Sequence, residues 1–211
     1  MVSQTRRYGG VTQEERKRLR RENLLKAAAD VVADVGTNKL TVTQVCKRAG
    51  LTERYFYESF TDRHALIDEL VATLASEHFV AIAATAALGP DDRRERLRLA
   101  VGAILHAYTS DTAFGRLAIE LNSQGALARH RTGLVRTLAN LVSQHAQAVF
   151  GLHDLASIEI HMAIRYAVAG SMDLIVDWLT GSLECEQAQL IDACAELGYA
   201  VMRTALGPPE R

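Results

Sequence analysis

Between Thr43 and Glu58 the sequence interleaves hydroxyls, guanidinium groups, carboxylates and phenols: Thr43, Gln44, Lys47, Arg48, Glu53, Arg54, Tyr55, Tyr57 and Glu58. This mixture suits the surface of a nucleic-acid duplex. An arginine can take the acceptor edge of guanine in the major groove, a tyrosine hydroxyl can reach a phosphate, and a tyrosine ring can pack on a thymine methyl or a sugar. An exposed face this rich in polar groups has little use in holding a core together.

The elements that must hold these groups can be read from hydrophobic spacing. Thr41 opens a short helix whose apolar face is Val42, Val45, Cys46 and Ala49, an i, i+3, i+4, i+7 pattern. Gly50 ends it, because the tight turn needs a residue that accepts positive φ. Thr52 caps the next helix, in which Phe56 and Phe60 face inward one turn apart. Counting from Val42, the inward positions are Val45, Ala49, Leu51 and Phe56, and the polar set is left outside. Two helices around a tight turn have the dimensions of a helix-turn-helix. Ahead of them Leu24, Leu25, Ala28, Val31, Val32 and Val35 recur at helical spacing up to Gly36.

The rest of the chain carries the same period. Asp62 caps a helix reaching residue 85, Pro90 and the acids after it open another ending near 110, and a further one reaches 122. A break over 123–131 precedes a long helix to 150, then helices over 154–180 and 184–206. No segment alternates strictly for more than four residues, so the spacing predicts an all-α chain of about nine helices. The expected division is a basic arm over 1–13, in which Arg6 and Arg7 either track a backbone or a minor groove or make no contact, a DNA-binding domain over 14–61 and a second helical domain over 62–211.

The chain has 211 residues and a formal net charge of −1, but the charge is split. Residues 1–63 hold 13 Lys/Arg against 8 Asp/Glu, and the remainder holds 11 against 17. A basic end joined to an acidic body agrees with a nucleic-acid-binding end. The three cysteines, Cys46, Cys185 and Cys194, lack CxxC spacing and read as small buried residues of a reduced cytoplasm. No uninterrupted apolar run reaches the roughly 18 residues of a membrane span, and the basic N-terminus does not read as a secretory signal. Metal-binding ExxH pairs, HExxH, GxSxG and glycine-rich phosphate loops are missing, and His78, His106, His145 and His161 are scattered. Neither an enzyme nor a cofactor or metal is expected.

The segment from Thr41 to Leu66, TVTQVCKRAGLTERYFYESFTDRHAL, resembles the DNA-binding signature of TetR-family regulators. The resemblance is carried by Thr41, by Ala49-Gly50-Leu51-Thr52, by Phe56-Tyr57, by Phe60 and by Arg63. Two positions depart from the pattern: Arg63 stands where lysine is usual, and Thr61 where proline or lysine is common. The resemblance implies that Thr41, Thr52, Tyr57 and Arg63 bind phosphates, while Thr43, Glu53, Arg54 and Tyr55 approach bases or neighbouring phosphates. Helix N-termini at Thr41 and Thr52 would also present free N–H groups to phosphate oxygens. The alternative for Tyr55 is packing beneath the first helix.

One such head covers a half-site, and a two-fold dimer on a palindromic operator is the usual solution. The helix over 154–180 is apolar nearly all round, and Ala163, Ala167, Gly170 and Ser171 would let a neighbour approach closely. The last helix carries the stripe Leu190, Ala193, Cys194, Leu197, Ala200 and Val201. The resemblance implies that these two helices build an intersubunit four-helix bundle; the alternative is that they cap their own core. It also implies a small-molecule effector among the middle helices of a homodimeric, cytoplasmic, nucleoid-associated repressor. Polar or aromatic candidates on apolar faces are Tyr108, Phe114, Asn122, His145, His161, Met162, Arg165, Tyr166 and Trp178. Arg165 in an apolar helix needs an anionic ligand or a partner such as Asp173 or Glu159, and His161 lies one turn away from it. A DNA-binding protein without any effector is the competing reading, and a cavity among the middle helices separates the two.

Overall fold

The computed structural model describes residues 12–122, 128–150 and 157–206. Among the described residues there are nine α-helices and no strand: α1 (Gln13–Val35), α2 (Val42–Ala49), α3 (Glu53–Ser59), α4 (Arg63–Ala87), α5 (Arg93–Ser110), α6 (Thr112–Asn122), α7 (Ala128–Phe150), α8 (Ile158–Leu179) and α9 (Gln187–Leu206). The arm residues Arg6 and Arg7, and all but the last residue of the connector that the sequence suggests over 151–157, fall outside the described residues.

The chain divides into two compact units, one up to Val71 and one from Ala72. In the first, α1 starts at an N-cap where the Thr12 hydroxyl accepts from the Glu15 amide at 3.1 Å. Its buried residues Leu24, Ala27, Ala28, Val31 and Val32 form one stripe at helical period. That stripe packs on α2 and α3, where Val45, Cys46 and Phe56 are the buried positions. Burial of Cys46, and secondarily the charge of Glu53, push its thiol pKa up, so it stays a protonated packing group.

The second unit is built from the later part of α4 and from α5–α9, with the closest helix pairing between α8 and α9 and between α5 and α9. One buried cluster joins Ala86, Ala139, Ala146, Ile160, Ile164 and Met202 from four helices, and its alanines allow close helix approach. Gly115 makes the tightest approach, since a Cβ there would lie 2.2 Å from the Tyr108 carbonyl oxygen. α7 begins at Ala128, inside the stretch expected to break the helices, and α8 and α9 are shorter at their starts than their spacing predicts. Helix ends are set by caps: Ser157 Oγ accepts from the Ile160 amide at 3.4 Å and so starts α8 later than its apolar run suggests. Among the described residues α4 is the helix long and apolar enough to cross a membrane by length and composition, although Leu66, Ile67, Leu70, Leu74, Phe79 and Ala86 are buried within the protein.

Candidate nucleic-acid interface and ligand cavity

In the first unit, α2 begins at a capping box. The Thr41 hydroxyl accepts from the Gln44 amide at 3.2 Å, and the Thr41 amide donates to Gln44 Oε1 at 2.9 Å. Gly50 ends the helix at φ 64°, ψ 30°, the left-handed conformation expected of the turn. Thr52 caps α3 without a side-chain capping bond, so its exposed hydroxyl is not used there.

Helical phase divides the aromatics of α3. Phe56 is fully buried and its ring centroid lies 5.7 Å from that of Phe60. Tyr57 is 58% exposed, with its ring standing edge-on to Phe56 at 5.3 Å. Tyr55 is half-buried, and the Arg20 guanidinium from α1 lies 4.5 Å from its ring centroid. A cation over the ring holds Tyr55 at the edge of α1 rather than fully on the outer face. Beside them the Arg54 side chain is 84% exposed and meets Glu58 at 3.1 Å. Thr43 Oγ1 donates to Glu53 Oε1 at 2.7 Å, which joins the outer faces of α2 and α3.

Two arginines act differently from their spacing. Arg63 Nη1 donates to the Leu40 carbonyl at 3.2 Å, so this half-buried guanidinium ties the start of α4 to the turn before α2. Arg21 was not singled out by pattern, yet it grips Glu69 with two nitrogens, donates to the Ser59 carbonyl and lies 4.3 Å from the Phe60 ring centroid. It staples α1 to the end of α3 and to α4. An i, i+4 count along one helix cannot reveal it, because its partners are 38 and 48 residues away.

The second unit holds a partly open cavity of about 150 Å³. Its wall comes from α4 (Ala75, His78, Phe79, Ile82, Ala83, Ala86), α5, α6, α7, α8 and α9, and is apolar over nearly its whole extent. Of the residues named from sequence as ligand candidates, Tyr108, Phe114 and His145 line it; Asn122, His161, Met162, Arg165, Tyr166 and Trp178 do not. Asn122 Oδ1 accepts from Arg131, which also meets Asp173 at 2.5 Å, and Trp178 donates to the Cys185 carbonyl at 2.9 Å. Arg165, Met162 and Tyr166 are exposed. Asp173 thus serves Arg131, and Glu159 accepts from Ser157 at 2.6 Å, rather than either pairing with Arg165.

Of the small-residue positions named for a dimer face, Ala163, Leu190 and Cys194 are buried within this chain, and Ala167 and Ser171 line the cavity. Ala193, Leu197 and Ala200 are exposed, Val201 is half-buried, and a Cβ added at Gly170 would meet nothing within 4 Å. The apolar side chains that α8 leaves outside are Ile158, Met162 and Tyr166, an i, i+4, i+8 stripe.

His78 was passed over in sequence as one of several scattered histidines. In the structure its Nε2 lies 3.0 Å from Asp111 Oδ2, and its ring stacks on Phe114 at 4.3 Å. Asp111 also caps α6, accepting from the Phe114 amide at 3.0 Å. Phe114 in turn lies 4.6 Å from the Tyr108 ring. Only the folding of α4 against α5 and α6 brings these groups together.

Residues 24–70 match the family model of bacterial regulatory proteins, tetR family. Over 169 residues, 78% of this chain and 82% of the relative, the sequence is 27% identical to the HTH-type transcriptional regulator BetI of Stenotrophomonas maltophilia (strain R551-3). Residues 24–70 thus carry the DNA-binding segment of the tetR family, and the chain is similar over most of its length to a transcriptional regulator. Its fold is also that of solved regulators. FadR of Bacillus subtilis in complex with stearoyl-CoA is similar at a TM-score of 0.63 and 14% identity, over 86% of this chain and 99% of that one. A tetR-family transcriptional regulator from Streptomyces coelicolor is similar at a TM-score of 0.63 and 13% identity, over 89% and 82%. At such identities the TetR fold is shared, and the occupant of each cavity is a separate question.

Proposed function

We propose that the protein is a TetR-family regulator, a dimeric repressor that binds a palindromic operator through α2 and α3 and leaves it when a small molecule fills the cavity of the second unit. The observation that carries the reading is that one helix, α4, belongs to both units: its first turns are held to α1 by the Arg21–Glu69 pair and its later turns line the cavity. A ligand that displaces Ala75, His78, Phe79 or Ile82 acts on the helix whose first turns are held in the DNA-binding unit by Arg63 and Glu69. Thr41, Thr43, Thr52, Glu53, Arg54, Tyr55, Tyr57 and Arg63 remain the proposed DNA-facing set. Arg54, with its side chain 84% exposed, is the proposed base reader; Tyr57 and Thr52 are the proposed phosphate contacts. Dimerisation is proposed through the outer stripes of α8 and α9. Such a repressor works in the cytoplasm, on the nucleoid.

The reading is tested by selecting a duplex from random sequence with the full-length protein and measuring its affinity at fixed salt. Arg54→Ala is expected to weaken binding at least tenfold and to relax one base position, since a good base contact contributes about 1–3 kcal/mol. Tyr57→Phe is expected to weaken binding several-fold without changing the selected sequence. Unchanged affinity in both variants would overturn the assignment of α3 as the recognition helix. An effector-free DNA-binding protein is less well supported, because a filled core would leave no cavity of this size.

A further inference from the structure

The cavity wall specifies the chemistry of what it can hold. Among the described residues no Asp, Glu, Lys or Arg lines it, and the polar lining residues are His78, Tyr108, His145, Ser171 and Cys194. Four of these five already have partners inside the protein. His78 is bonded to Asp111 at 3.0 Å, and His145 Nδ1 is 2.9 Å from the Leu141 carbonyl and so carries its proton there. The Ser171 hydroxyl is in hydrogen-bonding contact with the Cys194 thiol, whose pKa burial pushes up against that bond. Tyr108 is the exception. The residue is only 6% exposed and lines the cavity, and its hydroxyl is not among the fully buried polar atoms left unpartnered, so it stays open to a molecule in the cavity. Burial raises its pKa to about 12, so at neutral pH it is a phenol ready to donate.

A donor open to an otherwise apolar cavity favours a ligand that brings one acceptor to it. An ionised ligand group placed against this wall would meet no carboxylate, ammonium or guanidinium among the described lining residues and would be penalised by desolvation. A dry apolar cavity of about 150 Å³ is known to take a molecule the size of benzene, and a long acyl chain is several times larger. We propose that the effector is a small uncharged molecule, a single ring or an equally compact hydrocarbon body bearing one hydrogen-bond acceptor such as a ketone, and that Tyr108 Oη donates to that acceptor. This rests on the effector-responsive reading above and names the ligand class of the same site. Phe114 and Phe79 supply ring faces to the hydrocarbon body, while Ala75, Ala83 and Ala167 set its width.

The test uses the full-length chain and calorimetric titration with four probes: acetophenone, its alkene isostere α-methylstyrene, benzoate and stearoyl-CoA. Acetophenone is expected to bind at one site per chain, and the two charged probes to show no saturable binding. Tyr108→Phe is expected to weaken acetophenone about tenfold, the worth of one donated hydrogen bond, and to leave α-methylstyrene within about twofold. Ala167→Leu, which fills the cavity, is expected to abolish binding of both neutral probes. The proposal is overturned if Tyr108→Phe changes both neutral probes alike or neither, or if the ketone does not bind the folded protein. Tighter binding of benzoate or stearoyl-CoA than of the ketone, or ketone binding that survives Ala167→Leu, also overturns it. Release of the selected duplex is read separately. Ketone binding without release overturns the effector-responsive repressor and leaves the ligand class standing; release by stearoyl-CoA without ketone binding does the reverse.

Discussion

At the residue scale, burial changes what a familiar side chain does. Tyr57 and Tyr108 have the same phenol, yet one is 58% exposed on α3 and the other is 6% exposed in a cavity wall. The exposed one can follow a phosphate, whereas the buried one is held neutral because its ionised form would be desolvated. That difference has a consequence for stability at alkaline pH. An unfolded tyrosine ionises near pH 10, while folded Tyr108 keeps its proton to about 12. Above pH 10 the unfolded chain binds fewer protons than the folded one, so stability falls as pH rises. The contribution is present in full below pH 10 and is lost progressively up to about 12. Denaturant unfolding across that window is expected to show the parent losing on the order of 2–3 kcal/mol more than Tyr108→Phe. An equal loss in the two proteins would show that Tyr108 is not buried in solution.

At the scale of single elements, caps and close approaches matter more than propensity. α2 has only 8 residues, too short to be stable alone, and depends on its capping box and on packing against α1. Thr41→Ala removes the hydroxyl that accepts from the Gln44 amide and is expected to cost about 1 kcal/mol, with Thr41→Ser restoring most of it. Thermal melts of the parent and both variants check this. In the second unit the α5–α6 junction is fixed by Asp111, which closes α5, caps α6 and holds His78. Gly115 lets α6 cross the Tyr108 backbone, and Gly115→Ala is expected to destabilise by about 1–3 kcal/mol through overpacking. Circular dichroism on denaturant titration should give a lower midpoint with an unchanged slope.

At the scale of the whole molecule, the question is which apolar surface remains after each chain has folded. α8 is hydrophobic on nearly every side, but Ile160, Ala163, Ile164, Met172, Ile175 and Val176 are taken up by its own core. The side left over is Ile158, Met162 and Tyr166, the last 71% exposed, and α9 adds Leu197. Large apolar groups at helical spacing outside a core are the material of an interface between copies. Sedimentation at micromolar concentration is expected to give a dimer for the parent and a monomer for the Tyr166→Glu, Leu197→Glu double variant. The monomer is expected to keep its helical content and to bind the selected duplex far more weakly, because one head reaches one half-site. A parent protein that sediments as a monomer removes the dimeric repressor from consideration.

What could be read before folding was local or periodic. The all-helical class, the tight turn at Gly50 and the TetR-like segment from Thr41 to Leu66 follow from residue types at spacings of three and four, since a helix face is a property of one stretch of chain. The opposite fates of Phe56 and Tyr57 follow from the same count. Contacts between distant stretches carry no such period. Arg21 gripping Glu69, Arg63 held by Leu40, and His78 paired with Asp111 depend on which helices meet. The same is true of Arg165, whose apolar neighbours in sequence suggest burial although it lies on the exposed side of α8. An apolar helix shows that it must be covered; which side its own core covers, and which polar group in a cavity stays open to a ligand, is decided by three-dimensional packing, because each donor's fate depends on acceptors brought from elsewhere in the chain.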